Sequence, residues 1–415
     1  MDRVLNRVCA TYLICWTFFP FMQVGALYRI LAILCAGLWV FLAFSNRSDF
    51  LGDNLFFILA ASLAVGLMVL WRILLGLGIV TAILQTFQFI IIILIGLISI
   101  YYYKYDKSYA KTLFTIILAS MLLFCITTTK GVLENPYAAR IANSEWLEER
   151  FEGNEMIGLY GYVYMCVFIL PMLLYLLKKK ITFGKYTDIL LRLTVIAIIV
   201  MVFCAGYMIA IFCTLGSCLI LWAFSIKDPV GKFALFILFL FFLLGYKTIV
   251  DGLFTFLMER VEDNPVYYTK LRDFRMLFLS GEISGETVDG RFSNYAKSWN
   301  NIVKYPLFGC YFFGKPGGGG HSAILDLTGR FGIGTAVLYL YLMLVLPHTM
   351  AGKARKWNML DYILLVISLI FGILDPFFQE LSIAIYFMFP FVLSAIQEKE
   401  FGAQVKPTKE MGNQK

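Results

Sequence analysis

The sequence predicts an all-α polytopic membrane protein of about 12 transmembrane helices, with a long extracytoplasmic loop before the last three. Three observations predict it: a composition too apolar for water, apolar runs of membrane-crossing length, and short connections whose basic residues concentrate on alternate sides. Of the 415 residues, 60% are hydrophobic and only 15% are charged. Soluble domains carry about 25% charged residues, so this surface needs lipid around it.

A hydrocarbon core of about 30 Å takes roughly 20 apolar residues per helical span. Runs of about that length lie at 8–24, 28–44, 55–71, 79–101, 112–129 and 157–176, then at 188–206, 207–225, 233–250, 330–348, 358–376 and 380–396. The start, MDRVLNR before VCATYLICWTFF, has the charge pattern of a signal peptide, but the many later spans make it a retained first helix. Gly206 divides one long apolar stretch into two spans. The chain is thereby organised as spans one to nine over 1–250, including an outer loop at 130–156. A long extracytoplasmic loop follows over 251–329, then the last three spans over 330–398 and a cytoplasmic tail over 399–415.

The net charge of +8 is a topology signal rather than a nucleic-acid footprint. With the amino terminus inside, inner connections hold Arg3, Arg7, Arg47, Lys104, Lys107, Lys178, Lys179, Lys180, Lys353 and Arg355. The short outer connections hold little beyond Arg29 and Arg72, so both termini are expected in the cytoplasm. Eight of the nine cysteines fall in spans, where they act as small hydrophobes. No D-x-D or H-x-x-x-H spacing occurs, so neither a metal nor another cofactor is expected.

Both long connections face outward. In the second, DGLFTFLMERV and NYAKSWNNIVKYPLF have the pattern of amphipathic helices, with Tyr295, Trp299 and Ile302 at about helical spacing. The densest set of reactive side chains is GRFSNYAKSWNNIVKYPLFGCYFFGKPGGGGHSAILDLTGRFGIG, from Gly290 to Gly334. It gathers Arg291, Lys297, Lys304, Lys315, His321, Asp326 and Arg330. His321 follows four glycines, which reads as a flexible turn, and precedes Ser322, an N-cap for the next helix. Its imidazole suits a base or proton carrier near neutral pH; an interfacial histidine without a chemical duty fits residue type equally. Arg291 has the planar fork that binds a diphosphate, and Arg140 in the first long loop is a second candidate of that kind. Either is otherwise an ordinary interfacial arginine. Asp326 and Arg330, four apart with the acid first, are expected to form a helical ion pair. His348, the other histidine, reads as snorkelling at a span end, and Asp375 with Glu380 as solvated carboxylates beside a turn. Gly309 to Lys315 fits a phosphate-loop spacing, but Pro316 stands where Ser or Thr should hold the metal, so that reading is rejected.

At these residues the chain resembles the bacterial oligosaccharide repeat-unit polymerases (Wzy type) and the related O-antigen ligases. The resemblance rests on the dozen-span plan, on GRFSNYAKSWNNIVKYPLFG, and on GGGGHSAILDLTGRFGIG. It implies a GT-C-like scaffold in the bacterial cell membrane. It also implies a metal-independent glycosyltransferase that lengthens a capsule, O-antigen or other surface polysaccharide at the outer face. The substrate would be an oligosaccharide on undecaprenyl diphosphate, held in contact with membrane lipid; a chain-length regulator and a flippase of the same pathway would be partners. By the same resemblance Arg291 holds the diphosphate and His321 contacts or activates the acceptor hydroxyl. Lys297, Lys304, Lys315, Trp299, Tyr207 and Arg140 are further candidates for binding the substrate. Related ligases often carry one more arginine at the outer junction of two central helices. Here that junction reads FCAGYMIAIF, with Gly206 and Tyr207 and no cation. The alternatives are an O-antigen ligase acting on a lipid A core, and a flippase or transporter of lipid-linked oligosaccharide. Transporters commonly show related halves and polar mid-membrane helices, and no such repeat is visible.

Overall fold

The structure is a computed structural model. It describes residues 2–19, 21–22, 25–134, 157–158, 160–223, 226, 228–262, 265–280, 286–342, 369–370 and 372–374. Arg140, His348, Asp375, Glu380, almost all of the last two expected spans and the tail over 399–415 lie outside these residues.

The described chain is all-helical. In order come α1 (Asp2–Phe18), α2 (Ala26–Asn46), α3 (Ser48–Leu74), α4 (Ile79–Tyr105), α5 (Lys107–Glu134), α6 (Tyr160–Lys178) and α7 (Lys185–Ala205). They are followed by α8 (Met208–Ala223), α9 (Pro229–Arg260), α10 (Pro265–Ser280), α11 (Glu286–Lys304), the single turn α12 (Gly309–Phe312) and α13 (Ala323–Leu340). Six of these are long and apolar enough to cross a membrane, or up to seven if the bent pair within Ile79–Tyr105 counts as one span. This is a multi-pass helical membrane protein.

Lipid explains the outer surface. Leu27, Ile30, Leu34 and Phe41 on α2, and Phe56, Leu59 and Leu63 on α3, are all exposed. A patch of that size in water would aggregate. The core centres on α6: 78% of its apolar window is buried, against 22% for α2. A helix apolar all round belongs at the centre of a bundle.

The two ends of the bundle differ. At one end Arg7 pairs with Asp106 and Lys104 with Asp53, while the Arg47 guanidinium lies 5.0 Å from the Tyr105 ring centroid. The starts of α1, α3 and α5 meet the ends of α2 and α4 there. At the far end of α3 the Trp71 indole donates to the Phe308 carbonyl and packs on Phe312, with centroids 5.5 Å apart. The loop around α12 therefore sits at the end opposite the Arg7–Asp106 cluster.

Two helices break the expected boundaries. α9 runs for 32 residues without stopping where hydropathy falls at 250, so DGLFTFLMERV is its last third rather than a separate short helix. α10 then folds back on it, with Arg275 bonded to Asp251 at 2.6 Å and a small core of Phe254, Met258 and Leu271. The division at Gly206 is real: Gly206 caps α7 in the left-handed conformation, at φ 63° and ψ 28°. A β-carbon there would overlap the Tyr267 ring of α10. The Tyr267 hydroxyl lies 2.5 Å from the Phe203 carbonyl and 2.9 Å from that of Cys204, both left free by the end of α7.

Gly206→Ala is therefore expected to destabilise the protein by about 2–3 kcal/mol, combining left-handed strain with displacement of Tyr267. Tyr267→Phe should cost only about 1 kcal/mol. Thermal unfolding midpoints in detergent test the order; equal midpoints for both variants would refute it.

Candidate functional site

The site is built on a close approach of two glycines. Gly332 has φ 82° and ψ 163°, a conformation essentially reserved for glycine, and it kinks α13 in mid-course. A β-carbon on Gly332 would overlap the Leu307 carbonyl; one on Gly309, at φ 72°, would overlap the Arg330 carbonyl. The Ile333 amide donates to the Pro306 carbonyl at 2.9 Å across the same contact. The Pro-Leu-Phe-Gly and Phe-Gly-Ile-Gly segments thus lock backbone to backbone, and this fixes where the Gly-rich loop begins.

That loop is tightly packed, not the flexible turn its composition predicts. β-Carbons at Gly317, Gly318 and Gly319 would strike the Cys310 sulfur, the Arg330 guanidinium and the Asn294 backbone respectively. The glycines are there because three elements close on them. The Gly319 amide donates to Ser298 Oγ at 2.7 Å and to Asp326 Oδ1 at 3.0 Å, and the Ser298 hydroxyl donates to Asp326. The expected Asp326–Arg330 ion pair does not form. Asp326 is 5% exposed and bonded as just described, while Arg330 Nε donates to the Gly317 carbonyl at 3.1 Å. Tertiary partners displaced a weak i,i+4 pair, worth only ~0.5 kcal/mol.

His321 emerges from this loop half-buried, immediately before the helix it helps begin. Ser322 is the N-cap the sequence predicts: its Oγ accepts from the Leu325 amide at 3.2 Å. Burial lowers the His321 pKa below its ordinary value, and the nearby Arg291 charge lowers it further, while Asp326 acts in the opposite sense. The imidazole is accordingly neutral near pH 7. The same coupling shows that Arg291 and His321, 30 residues apart in sequence, share one electrostatic neighbourhood.

Arg291 and Tyr295 stand one turn apart on α11. Arg291 Nη1 and the Tyr295 hydroxyl both donate to the Leu374 carbonyl, at 3.3 and 2.8 Å. Both also line a cavity of about 350 Å³ between α6, α8, α10 and α11. Its walls are aromatic and aliphatic, with Tyr207 at one side, and no carboxylate lines it among the described residues. Tyr207 is 3% exposed and stacks on Tyr164, with centroids 6.2 Å apart. Lys270 of α10 enters the same cavity with its Nζ 5.8 Å from the Tyr207 ring centroid. Sequence reasoning missed Lys270: α10 carries mixed charges, and nothing in TKLRDFR marks one of them as facing a cavity.

Of the sequence-predicted residues, the structure places Arg291 and Tyr207 on one cavity, with His321 outside its lining but close enough to Arg291 to feel its charge. It does not bring Lys297, Lys304, Lys315 or Trp299 to the cavity. Lys297 is exposed and donates to Asn294 at 3.2 Å. Lys304 is exposed beside the Tyr305 ring, Lys315 is exposed on the loop, and Trp299 is 57% exposed. The inward face of α11 runs through Arg291, Tyr295 and Ser298 instead, because Asp326 satisfies the serine hydroxyl and lets it be buried. No group of three or more metal-binding side chains occurs among the described residues. Comparison with known protein families, with curated proteins and with solved structures returned no match.

Gly309→Ala and Gly332→Ala should each destabilise the protein by about 3 kcal/mol or more, from strain plus backbone overlap. Gly334→Ala has open space around it and should be neutral or slightly stabilising. Unfolding midpoints of the three variants check this; tolerance of Gly332→Ala would show that the kink is not required.

Proposed function

We propose that the chain is a metal-independent glycosyltransferase that polymerises undecaprenyl-diphosphate-linked oligosaccharide repeat units into a surface polysaccharide. The work takes place at the outer face of a bacterial cell membrane, with both termini cytoplasmic. One observation carries the reading. Arg291 lines an apolar cavity beside Lys270, with no carboxylate lining it among the described residues, and the His321 imidazole lies within electrostatic reach of Arg291. A lipid diphosphate needs two things that this supplies: cations for the phosphates and an apolar wall for the first part of the chain. The topology draws on the cluster of Arg7, Arg47 and Lys104 at one end of the bundle and the Gly-rich loop at the other.

In this reading a hydroxyl of the acceptor repeat unit attacks the anomeric carbon of the donor glycan. The new carbon–oxygen bond forms as the bond from that carbon to the diphosphate oxygen breaks. His321 accepts the hydroxyl proton, and undecaprenyl diphosphate departs with the bonding electron pair. Charge develops on the leaving phosphate, where Arg291 and Lys270 stabilise it. The diphosphate leaves readily, so the cations matter more than a general acid.

The ligase reading keeps the same chemistry and changes the acceptor to a lipid A core. Lys270 favours keeping it in view, because it brings to Tyr207 a cation that the Gly206–Tyr207 segment itself lacks.

In a deletion strain complemented with variants, Arg291→Ala and His321→Ala are each expected to cut polymer formation about 100-fold, and Lys270→Ala about 10-fold. Wild-type chain lengths for Arg291→Ala or His321→Ala would refute the site. Accumulation of finished polymer on the lipid carrier in the deletion strain would identify a ligase, and repeat units held on the inner leaflet a flippase.

The acid limb of the rate profile should follow His321. Because its folded pKa is depressed, the midpoint of the acid limb should lie below 6.5, the ordinary histidine value. Initial rates measured from pH 5 to pH 8, as roughly the useful range, test this. A midpoint above 6.5 would refute the assignment of His321 as the base.

A further inference from the structure

We infer that Ser298 and Asp326 are positioning residues: their buried hydrogen bond, closed by the Gly319 amide, holds His321 in register with Arg291 for the proposed transfer. The inference rests on the glycosyltransferase reading of that site.

Three elements meet in this knot, and each bears on the chemistry. Ser298 lies on α11, seven residues after Arg291, which is about two helical turns along one face. Gly319 lies two residues before His321 in the loop. Asp326 lies on α13, in the first turn after the Ser322 cap. Ser298 is 1% exposed and Asp326 5%, so both are sealed from water. One carboxylate oxygen, Asp326 Oδ1, accepts from both the serine hydroxyl and the glycine amide. Cutting this point leaves the His321 loop held to α11 by van der Waals contact, as at Gly319 and Asn294, without a directional bond, so Arg291 and His321 can drift against each other.

A stability role alone is a poor explanation of the pair. Burying a carboxylate is costly, and a matched apolar replacement of a buried polar pair is often neutral or stabilising. What the pair supplies and an apolar pair cannot is a directional bond to one specified backbone amide of the loop. Misplacement of a catalytic group by about 1 Å can cost about 100-fold in rate.

The experiment uses the full-length protein in lipid nanodiscs with purified lipid-linked repeat units, for wild type, Ser298→Ala, Asp326→Ala and Asp326→Asn. Amide exchange over 315–322 is followed in parallel. For Ser298→Ala and Asp326→Ala, kcat should fall about 10- to 100-fold with KM within about two-fold, and the Gly319 amide should exchange faster. Asp326→Asn keeps an acceptor oxygen in the same place and should hold kcat within about three-fold of wild type, with the amide still protected. The inference is overturned if Ser298→Ala keeps wild-type kcat while Gly319 exchanges fast. It is equally overturned if Asp326→Asn loses as much rate as Asp326→Ala with Gly319 still protected, since charge rather than position would then be at work. A wild type that joins no repeat units refutes the glycosyltransferase reading instead, and the exchange measurements still report whether the knot holds the loop. If Asp326→Ala fails to fold, Ser298→Ala and Asp326→Asn decide the matter.

Discussion

The end of this molecule that carries the Gly-rich loop depends on two backbones being allowed to touch. Gly309 and Gly332 remove the side chains that would separate the loop before α12 from the middle of α13, and the chain answers with a mid-helix kink. In a bundle surrounded by hydrocarbon, such a break is tolerated only where freed backbone groups find partners inside the protein. Here the Ile333 amide finds the Pro306 carbonyl. Once that contact is made, the glycines at 317–319 have no choice of path, and His321 is delivered to the neighbourhood of Arg291. Packing of this kind uses small residues and close van der Waals approach rather than water-driven burial, as helix contacts in membranes generally do.

Electrostatics adds a second layer of order. The cations near Arg7 and Lys104 are met by Asp106 and Asp53, whereas the cavity carries Arg291 and Lys270 with no carboxylate lining it among the described residues. Charges of the same type thus serve two ends of the bundle differently. At one they are paired with acids and stacked on tyrosines. At the other they face an apolar space, where charge interacts more strongly than in water.

Hydropathy made most of the helices legible, because a span is a statement about composition over some 20 residues and needs no knowledge of neighbours. The Ser322 cap and the division at Gly206 were legible for the same reason: each is a local rule that the tertiary structure left alone. Three features were not. The end of α9 was hidden because a helix need not stop where its hydropathy does. The glycine run was read as slack, since composition cannot distinguish a glycine needed for bending from one needed for close contact. Ser298, Asp326 and Lys270 were misjudged or missed because their partners lie far along the chain, and pattern reading ranks a buried serine below an exposed tryptophan. The candidate pair Arg291 and His321 was found by residue type and resemblance, and its wider surroundings came only with the fold.

The walls of the cavity extend in sequence from Tyr164 on α6 to Leu374, beyond α13. A chain made and inserted from its amino terminus therefore exposes Tyr164 and Tyr207 long before α10 and α11 exist to face them. The carbonyl on which Arg291 and Tyr295 converge arrives later still. Assembly in the membrane consequently has a built-in order, in which the earlier helices exist before the pocket has its far wall. A nascent chain stalled before Leu374 would lack the carbonyl on which Arg291 and Tyr295 converge.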